Sequence, residues 1–438
     1  MKKKMMLVAI LLLGCLGLIA CSTNDSSSSS DKKEGDAKQG EESAEEVSIN
    51  VFQFKVEFKD QFEELAALYE EEVGNVKINI ETVGGGSDYA SVLKAKISSG
   101  EEPTIFNIGG PSDVEQYEDL LADVSDTDAA KAALDSTLTG VSQDGAVLGL
   151  PYNQEGYGLI YNKKVFEDAG VDPSTIKSLE DLEAAAETID SKKDELGLQA
   201  VVAFPVKETW VTGQHLANVF LTPEFDGDVM QAYQATSVAF QHGEQMKAFI
   251  DFQNKYSVQP TLSLDYSQQV EELFSTGQVA MIQQGNWVYS TVESMDPELA
   301  ETGIGILPIP LDGEMKMPVG VPNYWAVNKN KEEAEIKAAK DFLDWMYTSE
   351  TGKQFVLEEF KFIPAYEGYD ESKIADPLSQ EIYAYATKGE TSGWTFNGYP
   401  VAWAQDILGA NIQKYVSDAA TWDEIVEESI SEWEKSRQ

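Results

Sequence analysis

Between Val47 and Ile108 the chain switches repeatedly between two periods, and that switching limits the folds open to it. Val47–Phe54 places apolar residues at alternate positions, as a half-buried strand does. Phe58–Glu72 carries Phe62, Leu65, Ala66, Leu68 and Tyr69 at helical spacing. Val76–Val83 is a second strand, Gly84–Gly86 a turn, Tyr89–Ile97 a second helix, and Pro103–Ile108 a third strand closed by Gly109, Gly110 and Pro111. Strand–helix–strand–helix–strand predicts an α/β fold, a parallel sheet with helices on its faces. Ligands of such sheets sit beyond the carboxyl ends of the strands. Here those ends carry Gln53 and Phe54, Gly84 to Ser87, and Asn107 to Gly110.

A second informative stretch is Gly149–Gly170. It begins as a polar, glycine-punctuated loop, becomes apolar at Leu159–Tyr161, and reaches Asn162, a good helix N-cap. A helix is expected from Lys163 to Ala169, stopped by Gly170. Such a loop can carry the backbone from one lobe to another, with Asn153, Gln154, Glu155 and Tyr157 at the crossing. Downstream, Ser178 caps a helix over Leu179–Ile189, with Asp181 at its third position. Strands are expected at Leu198–Phe204, Val279–Gln283, Ile304–Pro310 and Tyr324–Asn328, and helices at Gln269–Phe274, Lys331–Tyr347 and through most of Ala402–Lys435. The prolines ending Ile304–Pro310 mark a second crossing. From Val47 to Gln438 the chain is too long for one core, so two lobes are expected.

The amino terminus is built differently. Lys2–Lys4 and the apolar run Met5–Ala20 read as a secretory signal, residues 1–20. Leu18-Ile19-Ala20-Cys21 resembles the lipobox of bacterial lipoproteins, in which the cysteine becomes the first mature residue and carries a diacylglyceryl group; two acyl chains anchor stably. The other cysteine, Cys15, lies in the leader, so no disulfide is expected. Residues 21–46 then read as lipidated Cys21 and a disordered tether, rich in Ser, Asp, Glu and Lys.

The net charge of −44 repels nucleic acid and phosphorylated ligands and favours neutral or cationic ones. Only two histidines, His215 and His242, are present, which argues against a multi-histidine metal site or a histidine-based triad. There is no Gly-x-Ser-x-Gly, no His-Glu-x-x-His and no Walker loop. Asp123, Asp126 and Asp128 lack the spacing of a calcium loop. No metal and no cofactor is expected.

Several segments in order resemble the extracellular solute-binding proteins of bacterial ABC importers, in the carbohydrate group that includes maltose-binding protein. They are Tyr89–Gly100 with Pro103–Phe106, Gly149–Tyr152 with Gly158–Pro173, Phe274–Met281 with Gly285–Trp287, Gly305–Pro308, Ala338–Met346 and Thr421–Ile425. The resemblance implies a two-lobed, type II periplasmic-binding-protein-like fold. Each lobe would be a sheet flanked by helices, joined by two or three crossings and closing by hinge bending. It implies residues 47–157 with 309–347 as the first lobe and 158–308 with 348–438 as the second. It also implies a monomer on the outer face of a Gram-positive membrane, handing a neutral sugar to permease subunits. A binder of a cationic solute or peptide, and a secreted carbohydrate-active enzyme, are the competing expectations.

A sugar presents apolar C–H faces and a rim of hydroxyls, so its site needs aromatic walls and amide or carboxylate edges. The resemblance puts a stacking aromatic at Trp287, next to Gln284. Trp210 follows a strand. Trp394 and Phe396 stand between Gly393 and Gly398, in a loop expected not to bury them. Gln53, Phe54, Asn107, Asn153, Glu155 and Tyr324 complete the candidate ligand-binding set. Trp345, Trp422 and Trp433 read as core, whereas Trp325 and Trp403 fit either fate.

Overall fold

The structure is a computed structural model that describes residues 46–84 and 89–438. The leader, Cys21, the tether and most of the glycine turn before Tyr89 lie outside the described residues. β1 (Val47–Gln53) pairs in parallel with β2 (Val76–Thr82), Val47 opposite Val76 and Gln53 opposite Thr82. β3 (Ile105–Ile108) lies parallel on the other side of β1. Tyr324–Val327 joins β3 antiparallel, and Leu150–Pro151 closes that edge. The alternation in β1 sorts its side chains. Ile49 and Val51 pack with Leu65 of α1 (Lys59–Val73) and with Phe342, while Phe52 packs with Phe106 and Leu93 on the opposite face. Gly74 ends α1 in the left-handed region at φ 77°.

The second sheet runs Thr391–Ser392, Met317–Gly320, Glu155–Asn162, Val279–Gly285, Ala200–Ala203, with Ile304–Leu307 paired to the far half of Glu155–Asn162. Its central strand differs from expectation. Instead of a loop as far as Tyr157, the strand begins at Glu155, and all eight residues are buried. Its glycines serve close approach rather than turning: a Cβ at Gly158 would lie 2.2 Å from the Leu307 carbonyl oxygen. Asn162 caps the following helix as expected, its side chain accepting from the Val165 amide at 3.1 Å.

The backbone passes between the two sheets three times. The first passage runs from Pro151 to Glu155. The second lies between Gly320 and Tyr324, because Met317–Gly320, which the sequence pattern does not show, belongs to the second sheet. Ile304–Leu307 is a strand as expected, but the chain stays with the second sheet after its prolines, so no crossing lies there. The third follows Ile374, which packs in the first core, and precedes Leu378, which packs in the second. The first passage is tied to the stretch before the third: Gln154 donates from its backbone to Ile363 and from its side chain to Pro364. Phe355, Phe360, Phe362 and Tyr366, expected in the second lobe, pack on the first core. Their aromatic faces cover Phe58, Phe62 and Tyr347.

The chain's one arginine, Arg437, follows the final helix Trp422–Ser436. Its guanidinium donates to the Gly398 carbonyl at 2.6 Å and lies over the Tyr233 ring. The Tyr233 hydroxyl in turn donates to Glu115, just beyond β3, at 2.9 Å. Among the described residues no helix is long and apolar enough to cross a membrane.

Candidate functional site

The strand Val279–Gly285 delivers Trp287 to the sheet edge through a single tight turn, Asn286–Val288. The indole plane is fixed by a relay of amides. Trp287 Nε1 donates to Gln284 Oε1 at 2.9 Å, Gln284 Nε2 to Gln269 Oε1 at 2.7 Å, and Gln269 Nε2 to the Ala203 carbonyl at 2.8 Å. Both ends of the Gln284 amide are thereby engaged, so this candidate ligand contact orients Trp287. Trp210, at the head of the π-helical turn Trp210–Leu216, donates to Glu208 at 2.8 Å.

Trp394 and Phe396 are buried, against expectation. The reason is Gly320: a Cβ there would lie 2.4 Å from Trp394 Cγ, so the missing side chain makes the seat for the indole. The loop is held by Asn218, whose amide nitrogen donates to the Gly393 carbonyl and whose oxygen accepts from the Thr395 amide. Trp325 and Trp403 are core residues, 2% and 1% exposed.

These three tryptophans come together around a residue the candidate set omitted. The His215 imidazole stacks on Tyr157 at 4.5 Å between centroids. It lies 5.1 Å from Trp287, 5.4 Å from Trp210, 5.6 Å from Trp394 and 5.5 Å from Phe396. Burial among these rings, and then the charge of Lys55, lower its pKa to about 3, so the ring is neutral at ordinary pH.

Lys55 is the second omission. It follows β1, and its ammonium lies 2.5 Å from Glu155 and 3.4 Å from Glu57, over the rings of Phe54 and Trp287 at 5.3 and 6.0 Å. Burial alone would depress its pKa, but Glu155 and then Glu57 outweigh that and raise it, while burial raises that of Glu57. Gln53 serves Lys55: its oxygen accepts from the Lys55 amide at 2.7 Å, and its nitrogen donates to the Lys55 carbonyl and Thr82. Asn153 donates to Glu155 at 3.4 Å.

Asn107 and Tyr324 stand apart from the tryptophans. The Tyr324 ring is buried with Phe106 and Ile108 on one face of the first sheet. Asn107 pairs opposite Trp325 at the carboxyl end of β3. Among the described residues both ends of its buried amide lack a hydrogen bond, as do Asn153 Oδ1, the Tyr152 hydroxyl and Trp394 Nε1. Buried polar groups are nearly always paired, so these orphans at strand ends and in the Trp394 loop are unusual.

Beneath Trp287, Asn286 accepts from the Gly156 amide and donates to Ser379, which donates to Asp376 at 2.5 Å. Burial raises the Asp376 pKa to about 7, against the opposing hydrogen bonds of Ser379 and Leu378. A carboxyl raised in the folded state contributes full stability below its unfolded pKa and loses it as pH rises through the folded value. Asp376→Asn keeps the helix cap and removes the titration. Relative to wild type it should gain stability between about pH 4 and pH 7, by about 4 kcal/mol at the limit. Urea melts at pH 4.5, 6 and 8 check this, and a pH-independent difference refutes it.

Among the described residues no group of three or more His, Cys, Asp or Glu is placed to hold a metal ion. The profile of the family described as "Bacterial extracellular solute-binding protein" matches residues 55–353. The melibiose/raffinose/stachyose-binding protein MelE of Bacillus subtilis (strain 168) is 23% identical over 396 residues, 87% of either chain. Among solved structures, the solute-binding protein RafE in complex with raffinose aligns with a TM-score of 0.73 at 18% identity, over 90% of this chain and 100% of that one. A chitin oligosaccharide binding protein aligns with a TM-score of 0.74 at 21% identity, over 90% and 99%. The α/β fold is thus that of the two-lobed binding proteins, and with the family profile spanning most of its folded part, the chain belongs to the bacterial extracellular solute-binding proteins.

Proposed function

We propose that the protein captures an uncharged saccharide outside the cell and delivers it to the membrane subunits of an ABC importer, with no bond-making of its own. The observation that carries this is the aromatic surface of Trp210, Trp287, Trp394, Phe396 and Tyr157 around a neutral imidazole, beside the unpaired Asn153 Oδ1 and Trp394 Nε1. Rings suit the C–H faces of sugars, and unpaired amides suit their hydroxyls. The names of MelE and of the raffinose and chitin-oligosaccharide binders support an oligosaccharide. The three passages would act as the hinge between a lobe on each sheet, and Cys21 would carry the lipid anchor of a monomer.

Among the described residues Glu57, Glu155 and Glu208 outnumber the ammoniums of Lys55 and Lys361 at the site. That balance disfavours uronates and supports a second reading, a cationic solute. A thermal-shift screen separates the two, using melibiose, raffinose, stachyose and chitin oligosaccharides against spermidine and lysine. A ligand at a hundred times its Kd adds about 2.7 kcal/mol, worth roughly 3 °C in a chain of this size. A shift with spermidine and none with any saccharide would replace the first reading by the second. Shortened products after incubation would show an enzyme.

A further inference from the structure

We propose that His215 is the specificity-determining hydrogen-bonding residue of the sugar site, reading one hydroxyl of the saccharide ring that stacks on the surrounding tryptophans. The inference rests on the sugar-binding reading above. It starts from an imbalance in the aromatic cluster. Most of the other polar groups nearby have an assigned partner, Trp394 Nε1 being the exception. Trp287 and Trp210 spend their N–H groups on Gln284 and Glu208. The Tyr157 hydroxyl accepts from Asn218 at 2.9 Å. Gln283 and Gln284 are tied into the amide network beneath. The imidazole of His215 touches five rings yet makes no hydrogen bond among the described residues.

Its surroundings also decide what it can read. A neutral imidazole has one N–H donor and one lone pair, the same complement as a hydroxyl, so the two can pair in either sense. The ring is held by stacking on Tyr157 and the residue is only partly buried, whereas Tyr157 behind it is fully buried. Any face of the imidazole that a ligand reaches is therefore bordered by indoles. A sugar ring laid on Trp287 or Trp394 would present an equatorial hydroxyl at its edge, where His215 stands between those two tryptophans. With the imidazole uncharged, this contact adds polarity without adding charge.

A site built to bond a hydroxyl discriminates against its loss far more than an apolar pocket discriminates by shape. His215→Phe keeps ring and volume and removes only the donor and acceptor. His215→Asn keeps a donor and acceptor and removes the ring. Calorimetric titrations with raffinose, melibiose and N,N′-diacetylchitobiose should show His215→Phe at least thirtyfold weaker for whichever of them binds wild type, with an unchanged melting temperature. His215→Asn should fall between the two. The ratio of wild-type to His215→Phe affinity should be flat from pH 5 to pH 8, because Asp376 beneath Trp287 is common to both. Equal affinity of wild type and His215→Phe would overturn the inference while leaving the sugar reading intact. A change in affinity through pH 6.5 that is present in wild type and absent in His215→Phe would also overturn it, by showing that the imidazole titrates. Binding of none of the three sugars, with spermidine bound instead, would remove both.

Discussion

Lys55→Met should cost the fold roughly 3–5 kcal/mol, the scale for breaking one partner out of a buried ion pair. Lys55 and Glu155 are 4% and 3% exposed, and the methionine would leave Glu155 and Glu57 facing an apolar side chain with no countercharge. The Glu155 partner begins the central strand of the second sheet, while Lys55 follows β1 of the first. The loss should therefore appear in the global urea melt. Glu155→Gln should cost less, because the amide still accepts from Lys55. The double variant Lys55→Met, Glu155→Leu should recover much of the loss, since an apolar pair needs no desolvation. Because the folded-state pKa of Lys55 is raised, its contribution is present at neutral pH and is lost only as pH climbs through that raised value. A single variant within 0.5 kcal/mol of wild type would mean that water reaches the pair.

The second large effect concerns affinity. A ligand bound with a Kd of about 1 μM has about −8 kcal/mol in total, and a hot-spot tryptophan carries roughly 2 kcal/mol or more of that. Trp287→Ala should weaken saccharide binding at least tenfold. Trp287→Phe, which keeps a stacking face, should lose less. Gln284→Leu should weaken binding by a smaller factor than Trp287→Ala, because the indole remains but its plane is no longer held by the Gln284–Gln269 relay. Calorimetry on variants whose melting temperatures match wild type checks the order. Unchanged affinity in Trp287→Ala would take Trp287 out of the site.

Much of the architecture is legible because it is local. The alternation of Val47–Gln53, the stripe of Lys59–Val73 and the caps at Asn162 and Ser178 need only neighbouring residues, and each is where pattern reading puts it. Met317–Gly320 escapes such reading because it contains Pro318 and is made a strand by distant partners, Glu155–Gly156 and Thr391–Ser392. Glycines mislead in the same way. Beside Trp394 and Glu155 they look like loop markers, yet Gly320 and Gly158 are small so that an indole and a carbonyl can come close. Amides are ambiguous for another reason: Gln53 and Gln284 lie at strand ends as ligand contacts would, and only their partners show that they hold Lys55 and Trp287. His215 has no local signature at all. Its surroundings are set by Tyr157 far upstream and by Trp287 and Trp394 far downstream.

The lone arginine gives the molecule an order of assembly. Synthesis runs from the amino end, and Arg437 appears 39 residues after the Gly398 carbonyl it donates to. The Gly398 turn it braces belongs to the loop that seats Trp394, so the aromatic wall lacks its brace until Arg437 has been made. The first sheet likewise waits for Tyr324–Val327 to fill the gap between β3 and Leu150–Pro151. Contacts spanning such sequence distances form late. In a nascent chain of this kind the first sheet and the aromatic wall are each completed only by segments made well after their other parts.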